Sequence, residues 1–130
     1  MTRKDLSRII ELIRTEHMLK ERINLLRAQA ERTTAVIDGL PLGSEMHSKF
    51  EEAVMRIMQS ITEAEAAIVE LLDLQTALLN YLPALPDPQR AIMAHHYLDG
   101  WSFRRIARQL NYSYHYVCKM HRLAVKKICS

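Results

Sequence analysis

The chain has 130 residues, 48% of them hydrophobic, with only three glycines and four prolines. This size suits one small domain with an appendage, and this composition favours helices and disfavours a sandwich of β-sheets. Residues 1–99 hold eleven Lys or Arg and fifteen acids, whereas residues 100–130 hold seven Lys or Arg and no acid. This split indicates a polyanionic partner for the C-terminal end.

Neither export nor membrane insertion is expected. No apolar run approaches the roughly 20 residues of a membrane span, and Met1 to Asp5 lead into a charged helical pattern instead of a signal-peptide core. We therefore expect a cytoplasmic protein with no membrane partner. Cys118 and Cys129 are too few for a disulfide framework, so both are expected to stay reduced.

Residues 4–38 have the periodicity of one long helix. Seven of nine positions at alternating spacings of three and four are apolar in the series Ile9, Leu12, Glu16, Leu19, Ile23, Leu26, Ala30, Thr33 and Ile37. This spacing predicts the seam of a coiled coil or of a long bundle helix. The segment 38–43 should end it, because Gly39 can adopt the left-handed conformation and Pro41 cannot continue a helix.

A second long helix follows, for which Ser44 fits the N-cap. Nine of ten positions are apolar in its series Phe50, Val54, Ile57, Ile61, Ala64, Ile68, Leu71, Gln75, Leu78 and Leu82. Since a short loop makes two long helices antiparallel neighbours, residues 4–82 are predicted to form a helical hairpin. Residues 1–82 should then serve oligomerisation or partner binding.

The second helix has more apolar surface than one partner helix can cover. An adjacent apolar stripe consists of Met55, Met58, Val69, Leu72 and Leu79. Two hairpins could bury this stripe by pairing into a four-helix bundle, which predicts a homodimer. The alternative is that the stripe packs on the C-terminal domain of the same chain.

Residues 83–130 are predicted to form a separate domain of three short helices. Prolines mark the junction at Pro83, Pro86 and Pro88. The first helix should run from Asp87 or Pro88 to about Leu98, with Gly100 closing it. Ser102 and Ser113 fit the N-caps of helices over 103–110 and 114–129. A helix, a turn at 111–112 and another helix form the spacing of a helix-turn-helix, so the predicted fold is all-α.

The third helix of such a unit lies in the major groove of DNA. Its outer face here carries Tyr114, His115, Tyr116, Cys118, Lys119, Arg122 and Lys126. Residues near the N-terminus of this helix reach furthest into the groove. The candidates for base contacts are therefore Tyr114, His115, Cys118 and Lys119. Arg122 could read a guanine or hold a phosphate, and Lys126 should meet phosphates. Arg108 and Ser113 precede the helix and complete the candidate surface.

Arg104 and Arg105 occupy the first turn of the second short helix, where the helix dipole disfavours a cation by about 0.3 kcal/mol or more. A capping box would place Glu or Gln three residues after Ser102, at position 105, and this chain has Arg there. An anionic partner would offset this local cost, so both arginines are expected to contact DNA. The alternative is an exposed pair that increases solubility.

The positions inside the domain can also be assigned from spacing. The predicted core consists of Ile106, Ala107, Leu110, Val117, Ala124 and Ile128, completed by Met120 or His121. Trp101 and Phe103 are expected to pack on the first short helix.

Residues 85–128 contain one ungapped set of features: Leu85-Pro86, Gln89-Arg90, Tyr97-Leu98-x-Gly100, Ser102, Ile106-Ala107, Leu110, Ser113, Val117, Ala124 and Lys127-Ile128. This set resembles region 4 of sigma-70-family factors. The resemblance implies promoter binding by the third helix, here through residues 114–122. The chain departs from that pattern in three places. Asn111 replaces the usual Gly of the turn, His121 replaces a usual Leu, and bases stand at 104–105 where acids are common.

The whole chain, with its Gly-Leu-Pro loop between long helices, is similar to the small ArpU/RinA-like regulators of Gram-positive phages and prophages. That resemblance implies binding to double-stranded promoter DNA and a role in the transcription of late phage genes, with RNA polymerase as a further candidate partner. The domain of a sigma factor that reads the −10 element has no counterpart in the sequence, so we expect an accessory activator or repressor.

Catalysis and metal binding are not predicted. The sequence has no Gly-rich phosphate loop and no spacing of a nucleophile with its base, so we expect neither an enzyme nor a cofactor. Cys118 and His121 have the spacing of half a metal site, which His95 and His96 could complete. Structural zinc sites usually bring two close pairs, so we expect no metal, with His121 in the core or facing a phosphate.

Two other functions fit the same features. A phage packaging protein, similar to a small terminase subunit, also joins a helix-turn-helix to oligomerising helices, and it predicts a ring larger than a dimer. A protein-binding adaptor would dock the hairpin on RNA polymerase, and it predicts little affinity for DNA alone.

Overall fold

The protein is all-α in a computed structural model that describes residues 1–37 and 44–129, with side chains for 1–32 and 47–129. The described residues contain no strand. They form α1 (Arg3–Ile37), α2 (Ser44–Leu79), a 3₁₀ turn (Leu82–Ala84), α3 (Asp87–Tyr97), α4 (Phe103–Leu110) and α5 (Tyr114–Ile128). The predicted fold class is confirmed. The predicted turn with Gly39 and Pro41 lies outside the described residues, as does the side chain of Ser44.

Within the described part of the chain, every helix is too short or too polar to cross a lipid bilayer.

The chain divides into two compact units, and the division does not follow the helix ends. The first unit comprises Met1–Ile13 and Glu70–Ser130, and the second comprises Arg14–Val69. The first turns of α1 and the last turns of α2 therefore belong to the same unit as α3, α4 and α5.

In the first unit, α1 and α2 run antiparallel, as the hairpin prediction requires. Arg8 donates two hydrogen bonds to Glu70, from Nε to Oε1 at 2.7 Å and from Nη2 to Oε2 at 2.9 Å. The N-terminal amine of Met1 donates to the Tyr81 hydroxyl at 3.0 Å. Contacts that move towards the start of α1 thus move towards the end of α2, as in antiparallel helices. The Arg8 guanidinium also holds the pKa of Glu70 below its usual value. Heptad positions that are buried here include Ile9, Leu12, Leu71 and Leu78.

In the second unit, the heptad series again marks the buried side. Ile23 and Ala64 are buried, as are Ser60 and Ala67 beside them. Acids and bases also pair at a spacing of four, as in Glu16–Lys20 at 2.7 Å and, between two exposed side chains, Glu52–Arg56 at 4.0 Å. Such pairs support a helix weakly, so burial of the apolar seam carries most of the stability.

The apolar stripe of α2 is exposed. Its five side chains are between 49% and 70% exposed: Met55, Met58, Val69, Leu72 and Leu79. Leu72 and Leu79 lie in the same compact unit as α3–α5 and are still exposed. That end of the stripe therefore does not pack on the C-terminal helices of its own chain, contrary to the alternative considered from the sequence.

Side-chain caps begin the last two helices where the sequence predicts them. The Ser102 hydroxyl accepts a hydrogen bond from the Arg105 amide at 3.2 Å, and the Ser113 hydroxyl accepts one from the Tyr116 amide at 3.1 Å. A cap of this kind stabilises a helix by about 1 kcal/mol. Asn111 ends α4 with φ 58° and ψ 41°, the left-handed conformation expected at the turn.

Gly100 joins α3 to α4 at a place where only glycine fits without strain. Its φ is +74°, and a Cβ there would lie 3.2 Å from Cγ2 of Ile13. The missing side chain therefore allows both the turn and the close approach of α1.

A single buried cluster holds the three short helices together. It consists of Ile92, Ile106, Ala107 and Val117, with Trp101, Phe103, Leu110 and Met120 partly buried against it. The rings of Trp101 and Phe103 stack on α3, as predicted, with centroid distances of 4.4 Å to His95 and 4.2 Å to His96. This packing fixes α5 relative to α3 and α4 and leaves its outer face to solvent.

Candidate nucleic-acid interface

Most of the predicted DNA-contact residues lie at the surface. Nine are exposed: Arg104, Arg105, Arg108, Ser113, Tyr114, His115, Lys119, Arg122 and Lys126. Tyr116 and Cys118 are half-buried, and the ring of Tyr116 packs on Tyr112 with centroids 4.8 Å apart. Among the described side chains, none of the seven bases after residue 99 forms an ion pair with an acid. Their positive charge is therefore available to an outside anion.

One group of these residues surrounds an open cleft where α4 meets the start of α5. The cleft has a volume of about 430 Å³ and is lined by Arg104, Ala107, Arg108, Tyr112 and Tyr114. The guanidinium of Arg104 lies 5.3 Å from the centre of the Tyr114 ring. A hydrogen bond with Cys118, one turn along α5, raises the pKa of Tyr114. The Tyr114 ring is exposed at the N-terminal end of α5.

Arg105 has a structural partner that sequence reasoning missed. Its guanidinium lies 4.3 Å from the centre of the Trp101 ring, and that ring stacks on His95 with an interplanar angle of 6°. The Nδ1 atom of His95 is in turn 2.8 Å from a carboxylate oxygen of Asp99. The stacked rings of Trp101 and His95 support the Arg105 guanidinium at the start of α4, so this side chain has a partner within the protein. The available signal in the sequence for this contact was Trp101, an aromatic residue four positions before Arg105.

His121 is half-buried and contacts residues of α3 and α4. Its Nε2 atom is 2.7 Å from the Tyr97 hydroxyl, and its ring lies 4.8 Å from Phe103 and 5.7 Å from His96 between centroids. Burial, with a smaller contribution from His96, lowers the pKa of His121 to about 4. The ring is therefore neutral at pH 7. Of the two residues proposed to complete the core, Met120 is the one that packs against the core cluster.

The three histidines that were considered as metal ligands form other hydrogen bonds. His121 bonds to Tyr97, His95 is hydrogen-bonded to Asp99, and the Nδ1 atom of His96 donates to the Trp101 carbonyl oxygen at 2.7 Å. In the described part of the chain, no three His, Cys, Asp or Glu side chains are grouped so that they could hold a metal ion.

A second cleft runs along the later turns of α5, and it contains a residue that sequence reasoning did not place there. This cleft, of about 330 Å³, is lined by Lys119, Arg122, Leu123, Lys126 and, from the start of α1, Arg3. The signal available in the sequence was Thr2-x-x-Asp5, which marks a helix start at Arg3. It could not show that this helix start lies beside α5, more than a hundred residues later in the chain.

The comparisons with known proteins agree with this geometry. The model of the family described as sigma-70, region 4 matches residues 75–128. The match begins at Gln75 of α2, whose Nε2 atom donates to the Tyr97 carbonyl oxygen at 2.9 Å and so ties α2 to the end of α3. Neither a curated protein nor a solved structure matches the chain. Residues 75–128 are similar to sigma-70 region 4, a type of helix-turn-helix domain that binds DNA.

Proposed function

We propose that the protein is a sequence-specific regulator of transcription that binds double-stranded promoter DNA with α5 in the major groove. The observation that carries this proposal is the set of seven bases after residue 99, which lack acidic partners on a helix-turn-helix scaffold. Bases held at a surface without acids repel one another, and binding a polyanion relieves that repulsion.

Each part of this surface has a distinct role in the proposal. The start of α5 reads bases through Tyr114, His115, Cys118 and Lys119, and Tyr116 supports that end of the helix from its half-buried position. Arg104, Arg105 and Arg108 on α4 meet the phosphate backbone together with Lys126, while Ser113 orients the helix start through its cap. Arg122 lies between the two regions and contacts either a guanine or a phosphate.

The proposal includes a phage or prophage origin and a role at late genes, in the cytoplasm of the bacterial host. Its support is the similarity of the whole chain to ArpU/RinA-like regulators. Contact with RNA polymerase is part of the same proposal, because region 4-like domains occur in polymerase-associated factors. The protein has no catalytic step in this account.

We further infer that the protein acts as a homodimer through the hairpin, residues 1–82. The support is the exposed apolar stripe of α2, which lies beside the buried heptad series on the same helix. A second copy presents the same stripe and can cover it, as in a four-helix bundle. Light scattering should give twice the chain mass of 15.1 kDa. A Met58→Lys/Leu72→Lys variant should then give the mass of a single chain.

Selection of the purified protein against a random duplex library, with sequencing of the bound pool, tests the main proposal. A regulator should enrich one motif, and a dimer should enrich two half-sites separated by whole helical turns. Enrichment of DNA without any motif, together with a ring-sized mass, would favour the packaging function instead. No enrichment would overturn the DNA-binding proposal.

A further inference from the structure

We propose that Arg3, at the start of α1, is a DNA-phosphate contact that extends the surface of α5. This inference rests on the proposed function, because it assumes that α5 lies against DNA. It assigns a DNA contact to the hairpin region, which the resemblance to region 4 does not include, since the family match begins only at residue 75.

Cations dominate the lining of the cleft that Arg3 shares with α5. Arg3 stands across from Lys119, Arg122 and Lys126, and the remaining lining residue is Leu123. Four cations thus surround one cleft of about 330 Å³ with no acid in its lining. None of the four forms an ion pair among the described side chains. Cations brought together in this way repel one another unless an anion lies between them.

A capping box fixes the first turn of α1, where Arg3 lies. The Thr2 amide donates to Asp5 Oδ2 at 3.0 Å, and the Asp5 amide donates to the Thr2 hydroxyl at 3.2 Å. This reciprocal capping box sets the first turn of α1. The hydrogen bond from the Thr2 amide lowers the pKa of Asp5, so this carboxylate stays charged and committed to the cap. The Asp5 carboxylate therefore serves the cap and forms no ion pair with Arg3.

The rest of α1 anchors that turn to the helix-turn-helix. Leu6 and Ile9 are buried, Arg8 pairs with Glu70, and Ile13 packs against the backbone of Gly100. All of these contacts lie within one compact unit. Arg3 is consequently held beside α5 by a rigid element.

A positive charge is locally unfavourable at the position of Arg3. Arg3 is the first residue of α1, where the helix dipole disfavours positive charge. Arg104 and Arg105 occupy the equivalent first turn of α4. Three arginines in the first turns of two helices, all on the unit that contains α5, fit one shared polyanion. The later turns of α5 lie beyond the base-reading end, so the anion in this cleft is a phosphodiester of the bound duplex.

The test compares Arg3→Ala with a control that removes the same charge from the neighbouring position. Lys4→Ala is that control, because Lys4 lines the neighbouring cleft with Asp5, Glu11 and Glu70, which Arg3 also lines, but does not line the cleft of α5. Binding of a duplex of random sequence is measured by fluorescence anisotropy over a series of salt concentrations. A lost phosphate contact reduces the slope of log K against log salt by about 0.9.

Arg3→Ala should weaken binding by about fivefold at low salt and reduce the slope by about 0.9, whereas Lys4→Ala should leave the slope unchanged. Arg3→Lys should keep the wild-type slope, because it keeps the charge. Equal slopes for the wild type, Arg3→Ala and Lys4→Ala would overturn the inference. So would a slope for Arg3→Lys that falls as far as the alanine variant.

The same experiment separates a failure of this inference from a failure of the proposed function. If Lys119→Ala reduces the slope and Arg3→Ala does not, α5 binds DNA and Arg3 has no part in it. If the wild type itself binds the duplex without salt dependence, the proposed function fails, and the inference about Arg3 fails with it. Circular dichroism melting of each variant shows that the fold is retained, since Arg3 is exposed.

Discussion

The hairpin and the helix-turn-helix expose opposite kinds of surface. The hairpin helices are long, their seam is set by heptads, and the surface that they leave open on α2 is apolar. Helices α3–α5 are short and share a core cluster, side-chain caps begin α4 and α5, and the surface that α4 and α5 leave open is cationic. An apolar face is suited to another protein surface and a cationic face to a polyanion, which is why we propose a different partner class for each region.

The boundary between the two regions is less sharp than this contrast. The first thirteen residues of α1 and the residues of α2 from Glu70 onwards belong to the compact unit that contains α5. Gly100 touches Ile13, and Arg3 lines a cleft with α5. The start of α1 and the end of α2 therefore belong to the same compact unit as the helix-turn-helix.

The largest expected effect tests whether the short helices depend on their cluster. Ile106 is fully buried, so Ile106→Ala should lower the free energy of unfolding by about 2–5 kcal/mol. Trp101 is the only tryptophan and lies against this cluster, so its fluorescence reports the transition. Ile23→Ala, which truncates a buried side chain of the second unit, should leave the Trp101 transition within about 0.5 kcal/mol of the wild type. Equal losses would show that the two regions unfold as one.

Acid should destabilise the helix-turn-helix through His121. The folded-state pKa of about 4 lies below the ordinary 6.5, so the unfolded chain takes up the proton first. Stability should therefore fall as pH decreases from about 6.5 to about 4, by on the order of 2 kcal/mol. His121→Leu should flatten this part of the pH profile of the Trp101 transition. An unchanged profile in that variant would assign the acid sensitivity to other groups.

A smaller effect probes the link between α1 and the helix-turn-helix. Gly100→Ala should lower stability by about 1–2 kcal/mol, because the alanine Cβ meets both a positive φ and Ile13. Asn111→Gly is the matched control, since glycine accepts the φ of 58° at least as well as asparagine. It should cause little change in thermal melting. A tolerated Gly100→Ala would contradict the close packing of Ile13 on this turn.

The smallest expected effects concern the interactions that stabilise single helices, a cap in the helix-turn-helix and an ion pair in the hairpin. Removing the cap in Ser113→Ala should cost about 1 kcal/mol, whereas Lys20→Ala, which removes an exposed ion pair of α1, should cost about 0.3 kcal/mol. Urea denaturation followed by circular dichroism distinguishes these values. If both variants behave alike, capping has no special weight in the short helices.

Local signals in the sequence predicted much of this structure. Ser102, Asn111 and Ser113 mark helix ends through contacts with residues three or four positions away, and such contacts can be recognised from spacing alone. The heptads predicted the buried seam for the same reason. The charge of residues 100–130 likewise needed only a count.

Features formed between distant segments were not predictable in the same way. The approach of Arg3 to α5 depends on how α1 packs, and the hydrogen bond of His121 to Tyr97 depends on the crossing of α3 and α5. The side chain of Val125 is buried although the spacing argument did not include it in the core. In each case, the sequence contained the residues but not the distance between them.

The central claim is that the outer face of α5 binds DNA, and its most direct test is an anisotropy titration of duplex DNA with a Lys119→Glu/Arg122→Glu variant. The control is Arg22→Glu/Arg27→Glu, an equal charge change at exposed positions of α1 in the other compact unit. The account predicts that the α5 variant binds at least about 100-fold more weakly than the wild type, and that the control loses far less. Equal affinities of the α5 variant and the wild type would contradict it and would favour the adaptor function of the hairpin.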